Sequence, residues 1–141
     1  MDSAKPLPRP DPNSANYWRA AKGGALSLPR CRHCGKLGFP PMPRCKYCLG
    51  EDLEWVVLSG KGEIYAFCVM HADLVRGFKP PYAVIQVRLD EQPDLILTSN
   101  LLDCDLGEIK TGLRVEAVFE VRNPDITVPQ FRPVRDGRVL P

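Results

Sequence analysis

The sequence predicts a mainly β fold in which a short N-terminal helix and a metal-binding ribbon precede a small antiparallel β-barrel. Three observations support this prediction: two closely spaced pairs of cysteines, segments of alternating apolar residues that recur from residue 55 onward, and a short stretch with helical spacing ahead of both. A chain of 141 residues falls within the size range of one compact domain. We divide it into an arm with a docking helix over residues 1–24, the ribbon over 25–52 and the barrel over 53–141.

The first residues favour a cytoplasmic protein. The segment MDSAKPLPRPDPNSAN contains no apolar run of the signal-peptide kind, and its prolines indicate an extended arm. We also expect no membrane span, because the sequence has no stretch that is long enough and apolar enough. In a reducing cytoplasm, the closely spaced members of the six cysteines are expected to bind metal rather than to form disulfides.

The helix is predicted between Asp11-Pro12 and Gly23-Gly24. Asp and Pro are typical of a helix start, and glycine is typical of a helix end. Tyr17, Trp18 and Ala21 form a short apolar stripe between these limits. A helix of about three turns must dock in order to persist, and the sequence leaves open whether it docks on its own chain or in a groove of a partner.

The clearest chemical signal is a set of four cysteines, namely Cys31, Cys34, Cys45 and Cys48. Each pair is separated by two residues, so two knuckles can present four thiolates to one ion in the tetrahedral geometry that Zn²⁺ accepts. Four protein ligands leave no open position for water or substrate, which favours a structural Zn²⁺ site. An iron site of the rubredoxin type, acting as an electron carrier, is the alternative.

The barrel is predicted from six apolar segments with strand-like alternation. They cover residues 55–58, 62–70, 82–89, 95–101, 114–121 and 126–131. A helical turn or two is expected within residues 103–112, ahead of the last strands. This order is the outline of an OB-fold, although a small sandwich would give a similar pattern.

The segment 62–70 is apolar on both faces. Alternation places Ile64 and Cys68 on one face, so Cys68 is expected to be a small buried residue. Alternation then places Tyr65, Phe67 and Val69 on the outer face, which is expected to be exposed to solvent. Either the ribbon or helix covers that face, or it contacts a partner or an acyl chain.

No active site is predicted in this chain. His33 and His71 are the only two histidines. His33 lies inside the first knuckle, where four thiolates already satisfy an ion, and alternation places His71 on the face opposite Cys68. Cys104 lies between two aspartates, whose charges disfavour a reactive thiolate.

An ordered set of segments extends over nearly the whole chain: residues 16–21, 26–31, 34–35, 39–41, 45–48, 58–62, 81–82 and 131–134. This set resembles a family of small proteins that join a rubredoxin-like zinc ribbon to an OB-fold and accompany thiolase-superfamily enzymes. The resemblance implies a non-catalytic subunit of a hetero-oligomer, bound to a thiolase, a ketoacyl-CoA-cleaving aldolase or a hydroxymethylglutaryl-type synthase. The catalytic cysteine and histidine would belong to that larger partner, and acyl-CoA would be the ligand of the complex.

Candidate contacts with acyl-CoA are Phe67, Arg76, Lys79 and Tyr82. Phe67 comes from the apolar strand, and the loop 76–82 mixes cations with aromatic rings. The alternative function is a module that binds single-stranded nucleic acid, because ribbons and OB-folds both do so. Residues 1–50 hold nine Lys or Arg against two Asp, whereas residues 51–141 hold ten against fifteen acidic residues. Such an acidic barrel disfavours binding to a phosphate backbone.

Overall fold

The computed structural model describes residues 5–135; the outer ends of the predicted arm and barrel regions, 1–4 and 136–141, lie outside the described residues. The elements in chain order are helix α1 (Ala15–Lys22), β1 (Leu26–Cys31), β2 (Leu53–Leu58), β3 (Lys61–Met70), β4 (Tyr82–Leu89), β5 (Ile96–Leu101), a 3-10 turn (Leu106–Glu108), β6 (Arg114–Val121) and β7 (Thr127–Pro133). Within the described residues, no helix has the length and apolar content that crossing a bilayer requires.

The predicted N-terminal helix is present, and it docks on its own chain. The Asp11 carboxylate accepts a hydrogen bond from the Ser14 N–H at 2.8 Å, which forms a turn just before α1. The helix has eight residues and is therefore shorter than predicted. Tyr17 and Ala21 are buried, and the ring of Tyr17 lies 5.8 Å from that of Phe39. The helix thus packs its apolar stripe against the ribbon and barrel.

A two-stranded antiparallel sheet connects the ribbon to the barrel. β1 pairs with β2 from Leu26 opposite Leu58 to Cys31 opposite Leu53. β1 was not predicted, because five of its six residues are buried and the sequence therefore shows no alternation. The pairing of β1 with β2 also crosses the boundary that the sequence suggests between residues 52 and 53.

Five of the six predicted strands close into the barrel, in the order β3-β4-β5-β7-β6. The sixth, predicted over residues 55–58, is β2 and lies outside the barrel because it pairs only with β1. The barrel interior is filled by buried aliphatic and aromatic residues, among them Ile64, Ile85, Val87, Val115 and Phe131. The barrel is mixed rather than wholly antiparallel, because β5 and β7 pair in parallel. Strand direction cannot alternate all the way around a ring with an odd number of strands, so a closed barrel of five needs a parallel neighbour.

A β-bulge reverses the predicted sides of β3. The register of β3 on β4 shifts between Ile64 and Ala66, which leaves Tyr65 as an extra residue. Because side chains alternate, the extra residue places Cys68 on the face opposite to the predicted one. Cys68 is exposed, and Val69 packs against the core. The prediction that Cys68 is buried is therefore wrong.

Candidate functional site

The four ribbon cysteines converge on one point. Their sulfur atoms all lie within 4.8 Å of one another. The Sγ atoms of Cys31 and Cys48 are 3.6 Å apart, and those of Cys34 and Cys45 are 3.5 Å apart. A tetrahedral site with Zn–S bonds of about 2.3 Å has sulfur atoms roughly 3.8 Å apart. The donor set and its size therefore fit a tetrathiolate ion, and the cluster is consistent with structural zinc in a zinc ribbon.

The two knuckles follow the same hydrogen-bond pattern. The Cys31 N–H donates to the carbonyl of Lys36, and the Cys45 N–H donates to the carbonyl of Gly50, both at 2.9 Å. In each knuckle the residue after the second cysteine donates back to the carbonyl of the first cysteine, at 2.8 and 2.9 Å. An ideal Cβ at Gly50 would lie 3.3 Å from the Cys48 Sγ, so only a residue without a side chain leaves the sulfur undisturbed.

Backbone N–H groups favour the thiolate form of the two buried cysteines, Cys31 and Cys45. The Tyr47 N–H lies 3.4 Å from the Cys45 Sγ, and the Cys34 N–H lies 3.5 Å from the Cys31 Sγ. The pKa of Cys45 is lowered to about 6, chiefly by the backbone N–H of Cys48 and, against the opposing effect of burial, by that of Tyr47. The pKa of Cys31 is also lowered, chiefly by the backbone N–H of Cys34. The backbone N–H groups of Lys36 and Gly50 act in the same direction on Cys34 and Cys48, but burial and the neighbouring cysteines outweigh them and raise both pKa values, that of Cys48 to about 12. Because only the thiolate ligates zinc, the backbone hydrogen bonds favour metal binding at Cys31 and Cys45.

The predicted acyl-CoA contacts lie on and around the β3–β4 hairpin. Phe67 is 42% exposed, Arg76 and Lys79 are exposed in the loop, and Tyr82 is half-buried at the start of β4. The structure adds Leu74, which is 73% exposed in the same loop. Its signal in the sequence is a pair of apolar residues, 74–75, in an otherwise polar stretch. The role of these residues in binding stays a prediction.

The usual ligand face of an OB-fold is covered in part here by the protein itself. That face is formed by the second and third barrel strands with the loops on either side, which correspond to β4, β5 and the β3–β4 and β6–β7 loops. A groove of about 300 Å³ at this position is lined by β5 and β7 and also by Pro6, Pro8 and Trp18 of the arm and helix. The Lys5 Nζ lies 4.7 Å from the centre of the Phe78 ring, above the β3–β4 loop. The arm and α1 thus occupy part of the surface where a nucleic acid would stack.

Two separate family models match the two halves of the structure. Residues 18–54 match "ChsH2, rubredoxin-like zinc ribbon domain", and residues 55–120 match "ChsH2, C-terminal OB-fold domain". A solved structure described as "Ltp2-ChsH2(DUF35) aldolase" superposes with a TM-score of 0.81 and 32% identity, and the match covers 89% of this chain and 98% of that one. The chain belongs to the ChsH2/DUF35 family.

Several curated relatives of this chain carry names from acyl-CoA metabolism, and others are named as scaffold proteins. This chain is 33% identical over 129 residues to a "Probable enoyl-CoA hydratase alpha subunit" of Thermomonospora curvata, which covers 92% of this chain and 40% of the relative. It is 39% identical over 62 residues to "Benzoylsuccinyl-CoA thiolase subunit BbsA" of Thauera aromatica, covering 44% of this chain and 42% of the relative. The chain thus spans about two fifths of the length of the hydratase subunit, and the match to BbsA covers about two fifths of each protein.

Proposed function

We propose that this chain is a non-catalytic, zinc-binding accessory subunit of a thiolase-type acyl-CoA enzyme complex. It helps to assemble or gate the CoA and acyl site of a larger subunit that carries out 3-oxoacyl-CoA thiolysis or related C–C bond chemistry. The observation that supports this proposal best is the match to a solved structure described as an Ltp2-ChsH2(DUF35) aldolase. The match covers 98% of that chain. The name of the thiolase subunit BbsA supports it independently.

The four-cysteine cluster serves this function as a structural site. Cys31, Cys34, Cys45 and Cys48 would hold the zinc ion and fill its coordination sphere, so the ion would supply cross-linking of the two knuckles and no Lewis-acid chemistry. A ribbon of so few residues has little core of its own, and the metal replaces that core. The ribbon then presents a rigid surface at one end of the barrel.

The β3–β4 hairpin supplies the surface that we assign to the larger subunit and to CoA. Phe67 and Leu74 expose apolar side chains that a partner subunit or an acyl chain would cover. Arg76 and Lys79 are exposed cations suited to the phosphates of CoA, and the half-buried ring of Tyr82 lies 5.1 Å from that of Phe78. Apolar and cationic groups therefore lie on one loop, which matches the two kinds of surface in an acyl-CoA.

Co-expression with a thiolase-superfamily subunit of the same organism tests the proposal. We expect one species in size-exclusion chromatography that contains both chains, no turnover by this chain alone, and a large loss of 3-oxoacyl-CoA thiolysis when it is omitted. Full activity of the larger subunit alone would contradict the proposed function. Salt-sensitive retention of this chain on single-stranded DNA would instead favour the nucleic-acid module, which the partly covered OB face and the acidic barrel disfavour.

A second candidate function is accessory to hydration rather than to thiolysis. It is favoured by the match of 92% of this chain to part of a probable enoyl-CoA hydratase alpha subunit. The same co-expression experiment distinguishes the two candidates when the partner tested is a hydratase subunit and the assay follows hydration of an enoyl-CoA. Dependence of hydration, and not of thiolysis, on this chain would replace the first candidate with the second.

A further inference from the structure

The outer half of strand β3 has a neighbouring strand on one side only. Residues 61–63 pair with both β4 and β6, whereas residues 66–70 pair with β4 alone. The last hydrogen bonds on the β6 side belong to Ile64, whose N–H donates to the Leu113 carbonyl at 2.9 Å and whose carbonyl accepts from the Gly112 N–H at 2.8 Å. The bulge at Tyr65 follows directly, and a bulge bends its strand and interrupts regular pairing. Residues 66–70 therefore form an open sheet edge, which we call the β3 edge.

Backbone groups of Phe67 and Val69 face the β3 edge. In an antiparallel pair, alternate residues direct their N–H and C=O groups toward the partner strand. The Leu89 N–H donates to the Leu95 carbonyl, so the odd-numbered residues of β4 point toward β5 and the even-numbered ones toward β3. Those even-numbered residues, 82, 84 and 86, lie opposite residues 70, 68 and 66 of β3. Phe67 and Val69 thus direct their N–H and C=O groups away from β4, and no backbone group within residues 5–135 is paired with them.

The β3 edge lacks two features that protect open strands in natural proteins. Charged side chains and proline are common at such edges, because they hinder pairing with another strand. Residues 64–70 contain neither. Tyr65 and Phe67 are also 45% and 42% exposed, so apolar surface lies beside the unpaired backbone groups. This combination favours the addition of a further strand.

Other strand edges of this structure are occupied or charged. On the outer edge of β1, the Pro29 carbonyl accepts a hydrogen bond from the Gly38 N–H at 3.2 Å. On the edge of β5 that faces β7, the Asn100 N–H donates to the Gln130 side chain at 3.1 Å. β2 carries the charged residue Glu54. The β3 edge is by contrast neither filled nor charged.

We propose that the larger subunit adds an extended, uncharged segment to the β3 edge as a further strand of the sheet. The inference rests on the proposed function, because it requires a larger subunit, and it specifies how that subunit is bound. In strand addition, main-chain hydrogen bonds supply affinity and alternate side chains supply specificity. Leu74 and Val75, in the loop that follows β3, are 73% and 39% exposed. The β3 edge is therefore continuous with the apolar surface that we assign to the larger subunit, which favours that subunit over a second copy of this chain.

Proline at residue 67 tests this pairing, because it removes the N–H that faces the edge and leaves the hydrogen bonds to β4 in place. Phe67→Pro is compared with Phe67→Ala, so that both variants lack the aromatic ring. Val57→Pro and Val57→Ala are the matched controls on β2, where Val57 is 71% exposed. Val57 lies opposite Ser27, and that pair is not hydrogen-bonded because Cys31, in phase with Ser27, donates its N–H to Lys36. Zinc content and circular dichroism verify the fold of each variant.

Isothermal titration calorimetry measures the affinity of each variant for the co-expressed thiolase-superfamily subunit. We expect Phe67→Pro to bind about tenfold more weakly than Phe67→Ala, and Val57→Pro to bind like Val57→Ala. Amide hydrogen exchange of the wild type, read residue by residue, is the second measurement. The amides of residues 67 and 69 should exchange fast in the free chain and slowly in the complex, whereas those of residues 66, 68 and 70 should be slow in both. Because this measurement uses the wild type, it decides the question even where a proline variant does not fold.

Three results would overturn the inference. Equal binding by Phe67→Pro and Phe67→Ala, or fast exchange of residues 67 and 69 in the complex, would do so and leave the proposed function intact. Slow exchange of these two amides in the isolated chain, accompanied by a dimer in size-exclusion chromatography, would assign the β3 edge to a second copy. Failure of the wild type to bind the larger subunit would contradict the proposed function, and the inference with it.

Discussion

At the scale of single residues, the two knuckles adopt the same left-handed backbone conformation with two different residues, Gly35 and Leu49. The residue after each second cysteine has left-handed backbone, with φ of +81° at Gly35 and +65° at Leu49. This conformation costs a residue with a Cβ about 1–2 kcal/mol, and glycine avoids most of that cost. The Leu49 side chain is 65% exposed and so gains little from burial. Leu49 is therefore a strained position within the metal site.

Replacement of these two residues should have opposite effects. Leu49→Gly relieves the strain but adds freedom to the unfolded chain, so we expect the free energy of unfolding to rise by about 0.5 kcal/mol. Gly35→Ala introduces the strain and should lower the free energy of unfolding by about 1 kcal/mol. Urea unfolding of the zinc-loaded proteins measures both values, and metal analysis verifies one zinc per chain. Equal destabilisation by the two changes would show that the backbone conformation is not the cause.

The cysteines also show which residues a sequence can assign. Cys31 and Cys34 are separated by only two residues in the sequence. Their spacing alone therefore brings the two sulfurs toward one ion, independently of the rest of the fold. The side on which Cys68 lies depends instead on the pairing of β3 with β4, and the single extra residue at Tyr65 reverses it. No local pattern in the residues 62–70 indicates that bulge. Spacing within a motif is therefore predictable where strand register is not.

At the scale of elements, alternation found the strands that are wet on one face and missed the one that is not. β4, β5 and β6 were predicted within two residues of their bounds, because each alternates between core and solvent along most of its length. β1 is buried almost throughout and contains Pro29. Neither an alternation of apolar and polar residues nor the strand propensity of its residues therefore indicated a strand. A paired guanidinium and carboxylate joins the start of β6 to the end of β4, the two strands that flank β3. Arg114 of β6 donates two hydrogen bonds to the Asp90 carboxylate after β4, at 2.8 and 2.6 Å.

This ion pair should make stability depend on pH in acid. The hydrogen bonds from Arg114 lower the pKa of Asp90 below its usual value, so the native state favours the ionised carboxylate. The resulting stabilisation is present above the unfolded pKa of about 3.9 and is lost as the pH falls through the lower native pKa. We expect Asp90→Asn to lower the free energy of unfolding by less than about 1 kcal/mol at neutral pH, with the difference from wild type shrinking below about pH 4.

Comparison with a variant, rather than the acid titration of the wild type alone, removes the effect of zinc release in acid, which both proteins share. Asp125→Asn is the control, because Asp125 is exposed in the β6–β7 turn and makes no ion pair among the described residues. The difference in free energy of unfolding between Asp125→Asn and the wild type should stay constant over the same acid pH range. A constant difference for Asp90→Asn down to strongly acid pH would show that the pair does not favour the ionised form.

At the scale of the whole molecule, the ribbon and barrel share one hydrophobic core. Leu28 of β1 and Leu37 of the ribbon belong to the same buried cluster as Ile64 and Phe131 of the barrel. The sequence predicts both modules, because each has its own motif or period. Their joint core and the arm across the OB face arise from contacts between distant segments, for which a single sequence carries no pattern. The four-cysteine site is therefore coupled to the barrel and is not an independent appendage.

One buried amide adds a polar link to this coupling. The Gln92 side chain accepts a hydrogen bond from the Leu37 N–H at 2.8 Å and donates one to the Leu37 carbonyl at 2.9 Å. Gln92→Met keeps the volume but leaves both buried backbone groups without a partner, so the free energy of unfolding should fall by about 2–3 kcal/mol. Gln86→Met makes the same change at an exposed position on β4 and should be nearly neutral. Chemical unfolding measures both, and zinc should still bind the Gln92 variant with one ion per chain because no ligand changes. Proteolysis should then cut the ribbon of this variant faster than its barrel, whereas equal rates in variant and wild type would show that the amide does not connect the two.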